Sequence, residues 1–161
     1  MRISFDMDGL LVDCNPAFLT ERRPWWPLRL WFPEKLRCGT IALFKTLIRR
    51  QCQIWIYTSS GRSFLYLKLW FRALGIRLDG VVNKSVHERM VSRYQFSTRT
   101  PTKFPPLFGI HLHVDDSEGV AIEGRLHGYE VLVVSPDDDG WTQRILKRVN
   151  EFTIEVARES D

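Results

Sequence analysis

The chain has 161 residues, 44% of them hydrophobic and 26% charged. That is ordinary globular composition for one domain with a sizeable core, and it excludes a disordered or low-complexity chain. The formal charge of +4 and a pI near 9.1 suit an anionic ligand but are too weak to define a nucleic-acid binder.

Cys14, Cys38 and Cys52 form no CxxC pair, so they build no zinc site and fit a reducing compartment. No apolar run approaches membrane-spanning length, and the N-terminus opens directly on a strand pattern without a leader. The expectation is a soluble cytoplasmic protein with no membrane partner.

Arg2 to Phe5 reads as a buried strand that runs into Asp6-Met7-Asp8-Gly9. Alternation along the extended chain aims Asp6 and Asp8 to one side and Met7 to the other. Two acids converging at a strand end repel each other, and a divalent cation offsets that most simply. The irregular stretch 14–33 follows, with Pro16, Pro24, Pro27 and Pro33 among Trp25, Trp26, Trp31 and Phe32. The prolines forbid a long regular helix there. The aromatics read as a flap, packed under a loop, closing over a pocket or meeting a second copy of the chain.

A helix is predicted over Gly39 to Arg50, then a second buried strand, Gln53 to Tyr57. That strand ends in Thr58-Ser59-Ser60-Gly61-Arg62. Hydroxyls and a glycine before a helix present free backbone N–H groups, either as an anion site or as a plain N-cap. The helix Ser63 to Leu74 stops at Gly75. Leu78 to Val82 is a short third strand, and a short helix lies near Val86 to Arg93. Thr100 to Pro106 is rigid turn chemistry around Lys103. Ile110 to Val114 is a fourth strand ending in Asp115-Asp116. A helix from Glu118 to His127, a fifth strand from Glu130 to Val134 and a last helix beginning near Trp141 complete the chain.

Strands alternating with helices in this way imply a Rossmann-like three-layer α/β/α sandwich with a mostly parallel five-stranded sheet. Ligands of such sheets sit outside the carboxyl ends of the strands. Asp6, Thr58 and Asp115-Asp116 all occupy that position.

Phosphoryl transfer needs an in-line nucleophile, a proton shuttle and positive charge around the equatorial oxygens. Asp6 fits the nucleophile and Asp8 the acid and base. Thr58 and the amides after it fit a phosphoryl oxygen, and Lys103 the shared negative charge. Asp6, Asp116 and the Asp8 carbonyl offer the hard oxygens that Mg2+ takes, with Asp115 as a supporting or alternate ligand. Ser59 and Arg62 are candidate substrate contacts.

Asp6-Met7-Asp8-Gly9, Thr58 after Ile-Trp-Ile-Tyr, then Lys103, then Asp115-Asp116 resemble the four motifs of the haloacid dehalogenase-like (HAD) superfamily, in the right order. The resemblance spans Arg2 to about Val134. It implies a Rossmann-like core, a Mg2+ cofactor and phosphatase activity on a phosphorylated substrate. The second aspartate of the first motif, Asp8, separates phosphatases from the dehalogenases. Three departures stand out. Leu10 replaces a frequent Thr; Lys84 competes with Lys103; the Asp-Asp pair leaves open which carboxylate meets the metal, with Asp116 favoured. Neither inter-motif gap is long enough for a folded cap, so residues 1–161 read as one capless core domain. The competing reading is a phosphate-binding module on the same fold without turnover. A P-loop kinase is excluded by the absence of GxxxxGK[ST].

Overall fold

The computed structural model describes residues 1–12, 18–22, 26–96 and 99–159. Five strands, β1 (Arg2–Phe5), β2 (Gln53–Tyr57), β3 (Gly80–Val82), β4 (Leu112–Asp115) and β5 (Val131–Val133), form one sheet in the order β3-β2-β1-β4-β5. Every pairing in it is parallel. Among the described residues six helices connect or follow them: α1 (Trp26–Trp31), α2 (Thr40–Arg49), α3 (Phe64–Ala73), α4 (Lys84–Val91), α5 (Glu118–His127) and α6 (Trp141–Glu159), with a 3-10 turn at Pro105–Phe108. Parallel strands need such crossovers, and both faces of the sheet are then covered.

Alternation sorts the strand side chains into two unlike faces. Ile3, Phe5, Ile54, Ile56, Leu112 and Val114 belong to the main core, with Leu43, Phe44 and Leu47 of α2, Trp70 and Phe71 of α3, and Ile145 and Val149 of α6. Phe44 stacks between Phe5 and Phe71. The other face carries Ser4, Trp55, Tyr57 and His113. A smaller cluster of Tyr57, Val82 and Ile110 covers part of it, with Val86 and Phe108 packed against it.

The elements differ from the sequence expectation at several ends, each for a local reason. The third strand begins at Gly80 rather than Leu78. Asp79 pairs with Ile54 through its own N–H and through its carboxylate, which accepts from Ile54 N at 2.8 Å, so a side chain replaces one rung of the ladder. Gly80 then passes so close to Trp55 that any Cβ would enter the indole. The helix expected near Val86 starts at Lys84, because Asn83 caps it by accepting from Val86 N at 3.1 Å. The fourth strand starts at Leu112 and the fifth at Val131.

Part of the proline-rich stretch forms the short helix α1. Residues 13–17 and 23–25, including Cys14, Pro16, Pro24 and Trp25, lie outside the described residues. No described helix is long and apolar enough to cross a membrane.

Candidate active site

The chain runs from β1 through β2 to β3 on one side, then returns to β4 on the other side of β1. The carboxyl ends of β1 and β4 therefore flank the point where the strand order reverses, where a crevice opens in sheets of this kind. The β1–β4 register pairs Ser4 with His113 and Phe5 with Val114, so the next residues, Asp6 and Asp115, end up side by side. Asp6 N donates to Val114 O at 2.9 Å and continues that register past the strand end.

Asp6, Asp115 and Asp116 each bring a carboxylate oxygen within 4.8 Å of the others. Lys103 bridges two of them, with Nζ 2.6 Å from Asp6 Oδ1 and 2.6 Å from Asp115 Oδ2. Asp6, Lys103 and Asp115 are all buried. Three carboxylates against one ammonium leave this cluster two charges negative. Its donors are all hard oxygens, a set that fits a divalent cation of the magnesium or calcium type.

The electrostatics of the cluster are uneven. Burial raises the pKa of Asp6, opposed by Lys103 and reinforced by Asp115. Burial and the charge of Asp115 raise that of Asp116. Asp115 is held well below the ordinary carboxylate range: burial works against it, but hydrogen bonding from His113 and the charge of Lys103 prevail. Burial pulls the Lys103 ammonium down, yet Asp6 and Asp115 leave its pKa raised. Both Asp115 oxygens are engaged by the chain. Oδ2 meets Lys103 Nζ and His113 Nε2, the latter at 2.9 Å, and Oδ1 accepts from Ser117 N at 2.9 Å.

Asp116 sits over the turn after Asp8. A Cβ built on Gly9, whose φ is +87°, would overlap Asp116 Oδ2. Glycine is thus required there twice, for the left-handed backbone and for the close approach.

Lys103 is fixed by its neighbours. Thr102 donates through N and Oγ1 to Glu123 of α5, Tyr129 Oη donates to Lys103 O, and Phe104 N donates to Tyr57 Oη at 2.8 Å. The Phe104 ring packs among Tyr94, Phe96, His127 and Tyr129. Lys84 is elsewhere: its side chain is 63% exposed and faces Glu88 one turn along α4. Lys103 is the lysine that the fold brings to the acids.

Thr58 is buried at the end of β2. Its Oγ1 lies 3.0 Å from Ser60 Oγ and accepts from Ser60 N at 3.1 Å, while Ser59 is exposed. Arg62 does not point freely outward. Its Nη1 and Nη2 meet the two oxygens of Asp8, each at 2.7 Å, and its Nε and Nη2 meet Glu34. Asp8 therefore shares the site's rim with an arginine rather than with the buried acids.

Five participants carried no signal strong enough to single them out from the sequence. Glu34 follows the aromatic stretch with no motif around it. Tyr57 and Tyr129 act through their hydroxyls on the backbone of the lysine loop. Ser4 and His113 are polar groups inside buried strands, with Ser4 Oγ 2.8 Å from His113 Nδ1. Their positions two residues before Asp6 and Asp115 were the available hint, because they share a sheet face with those acids.

Three converging acids and a buried lysine at the switch point of a parallel sheet define a Rossmann-like α/β protein with a hard-oxygen donor set at the carboxyl ends of its strands. No protein-family model and no curated protein matches the sequence. Among solved structures, the chain is similar to a HAD-superfamily hydrolase, subfamily IA, from Geobacter sulfurreducens PCA. The TM-score is 0.51 at 15% identity, over 82% of this chain and 88% of that one. It is also similar to a chain of the Pnkp1/Rnl/Hen1 complex, with a TM-score of 0.51 at 14% identity over 83% of this chain. Only 45% of that chain is covered, so this protein spans less than half its length. A D,D-heptose 1,7-bisphosphate phosphatase from B. bronchiseptica aligns over 91% of this chain with a TM-score of 0.47 at 14% identity. The likeness to the Geobacter sulfurreducens hydrolase is one of fold.

Proposed function

We propose that the protein is a Mg2+-dependent phosphomonoester hydrolase working through an aspartyl-phosphate on Asp6. The observation that carries this reading is the convergence of Asp6, Asp115 and Asp116 on one another with Lys103 between them. Asp116 and Asp6, with the Asp8 carbonyl, would hold the cation. Asp115, whose oxygens are already engaged by Lys103, His113 and Ser117, supports them. When bound, Mg2+ supplies charge neutralisation at the phosphoryl oxygens.

An Asp6 oxygen attacks phosphorus, and the bond from phosphorus to the leaving oxygen breaks as that oxygen takes a proton from Asp8. Water then attacks the phosphoryl group and gives its proton to Asp8. The Asp6–phosphorus bond breaks, releasing inorganic phosphate and restoring the Asp6 carboxylate. Lys103 stays beside Asp6 through both steps and offsets the charge gathered there. Thr58 and Ser59 hold a phosphoryl oxygen at the end of β2. The substrate is a phosphate ester, on a small molecule or exposed on a larger one.

The test is hydrolysis of an aryl phosphate with Mg2+ and with chelator, beside Asp6→Asn. Activity that requires Mg2+ and falls by orders of magnitude in the variant upholds the reading; equal turnover in both proteins refutes it. A panel of nucleotides, sugar phosphates, phosphopeptides and phosphorylated nucleic-acid ends then ranks substrates.

One observation favours a second reading, a phosphate-binding module without turnover: Asp8 lies in a two-point pair with Arg62 rather than free for proton transfer. Mg2+ binding without hydrolysis of any panel member is its signature.

A further inference from the structure

The loop after α1 reaches the site through Glu34. Phe32 packs on Tyr66 of α3, ring centroids 5.5 Å apart, and the Tyr66 hydroxyl donates to Glu34 Oε1 at 2.9 Å. Glu34 takes Nε and one edge of the Arg62 guanidinium, whose other edge holds Asp8. The backbone of Arg62 is tied as well, since Asn83 Nδ2 donates to its carbonyl at 3.0 Å. A guanidinium has five N–H groups in a fixed fork. Four of them are spent on these two carboxylates: Nε on Glu34, both on Nη2 and one on Nη1.

We infer that Glu34 is a positioning residue: acting through Arg62, it sets the direction in which Asp8 presents its carboxyl group to the leaving oxygen. This rests on the hydrolase reading above. Without Glu34, Arg62 would be a long chain freer to rotate about its own stem. With Glu34 on its far edge and Tyr66 behind Glu34, the fork has one orientation. The residues lie in three separate stretches, after α1, after β1 and after β2, so the contact further joins the aromatic stretch to the acid–base group.

The consequence is selective. An ester with a poor leaving group needs its oxygen protonated as the bond to phosphorus breaks, and p-nitrophenolate does not. The experiment compares kcat/KM, which covers only steps through formation of the phosphoenzyme, for p-nitrophenyl phosphate and a simple alkyl phosphate. It uses the whole chain with Mg2+: wild type, Glu34→Gln and Glu34→Asp, each checked for folding by circular dichroism.

For Glu34→Gln we expect a loss of about 3-fold on the aryl ester and about 30-fold or more on the alkyl ester, within the range general-acid catalysis supplies. Glu34→Asp, which keeps the charge, should lie between it and wild type. Equal losses on both esters, or none, overturn the inference and leave the hydrolase reading standing, provided Asp6→Asn still abolishes wild-type activity. A wild type inert on both esters overturns both. If Glu34→Gln does not fold, the ratio of losses in Glu34→Asp decides in the same way.

Discussion

Lys103 Nζ stands 2.6 Å from Asp6 Oδ1 and 2.6 Å from Asp115 Oδ2, one buried cation serving two acids from different strands. Removing one partner of a buried ionic cluster leaves the others uncompensated. Lys103→Met should therefore destabilise the metal-free protein by about 3–5 kcal/mol in urea unfolding at neutral pH. It should also lower kcat on an aryl phosphate by about 10²-fold or more. Lys84→Met, on an exposed helix face, should change stability by less than ~0.5 kcal/mol and leave kcat unchanged. The reverse pattern would show that the wrong lysine has been placed in the site.

How much of this was legible beforehand depends on where each signal resides. Asp6, Asp8, Lys103 and the Asp115-Asp116 pair were readable because short-range chemistry marks them: acids at strand ends, a lysine between prolines. The parallel sheet was readable from apolar runs alternating with helical periodicity. Arg62 stands out in the sequence, but its partners do not. Its pairing with Asp8 and Glu34 joins residues 54 and 28 positions apart, and no local pattern reports such a contact. The Asn83 cap of α4 has no local signature, because its role depends on where the preceding strand ends. Trp25 and residues 13–17 lie outside the described residues, so the aromatic flap and its proposed role between copies of the chain stand as an expectation.

Gly9 carries the second prediction. Its φ of +87° is reached by other residues only with strain, and a Cβ there would displace Asp116 Oδ2. Gly9→Ala should push Asp116 away from Asp6 and weaken Mg2+ binding at least ~10-fold, about 1.4 kcal/mol. Calorimetric titration of the purified variant with Mg2+ is the measurement. Unchanged affinity would mean that Asp116 does not hold the ion.

A third prediction concerns the buried pair behind the acids. His113 is fully buried, its Nδ1 2.8 Å from Ser4 Oγ and its Nε2 2.9 Å from Asp115 Oδ2. With Nε2 protonated and donating to Asp115, Nδ1 accepts from the serine hydroxyl. Ser4→Ala removes that donor and leaves a buried ring nitrogen unpaired, which costs about 1–3 kcal/mol. Urea unfolding of Ser4→Ala should show a lower midpoint at unchanged slope. A variant as stable as wild type would show that the Ser4 hydroxyl adds nothing there.

The last prediction is the acid limb of stability in the presence of chelator. Burial lowers the pKa of His113 and of His87, whose Nδ1 lies 2.6 Å from Tyr57 Oη. Each is then less protonated folded than unfolded. Below the ordinary histidine value of about 6.5 the unfolded chain binds more protons, so stability is full above that pH and declines as pH falls through the depressed folded values. Asp115, also depressed, extends the decline below the ordinary aspartate range. Asp6 and Asp116 have raised values and oppose it, because the folded chain keeps their protons to higher pH than the unfolded one does. His87→Gln removes one histidine without touching the acids. Its stability should fall less steeply between pH 7 and 5 than that of wild type, by a fraction of one proton in the slope. Parallel pH profiles would assign this part of the limb to His113 alone.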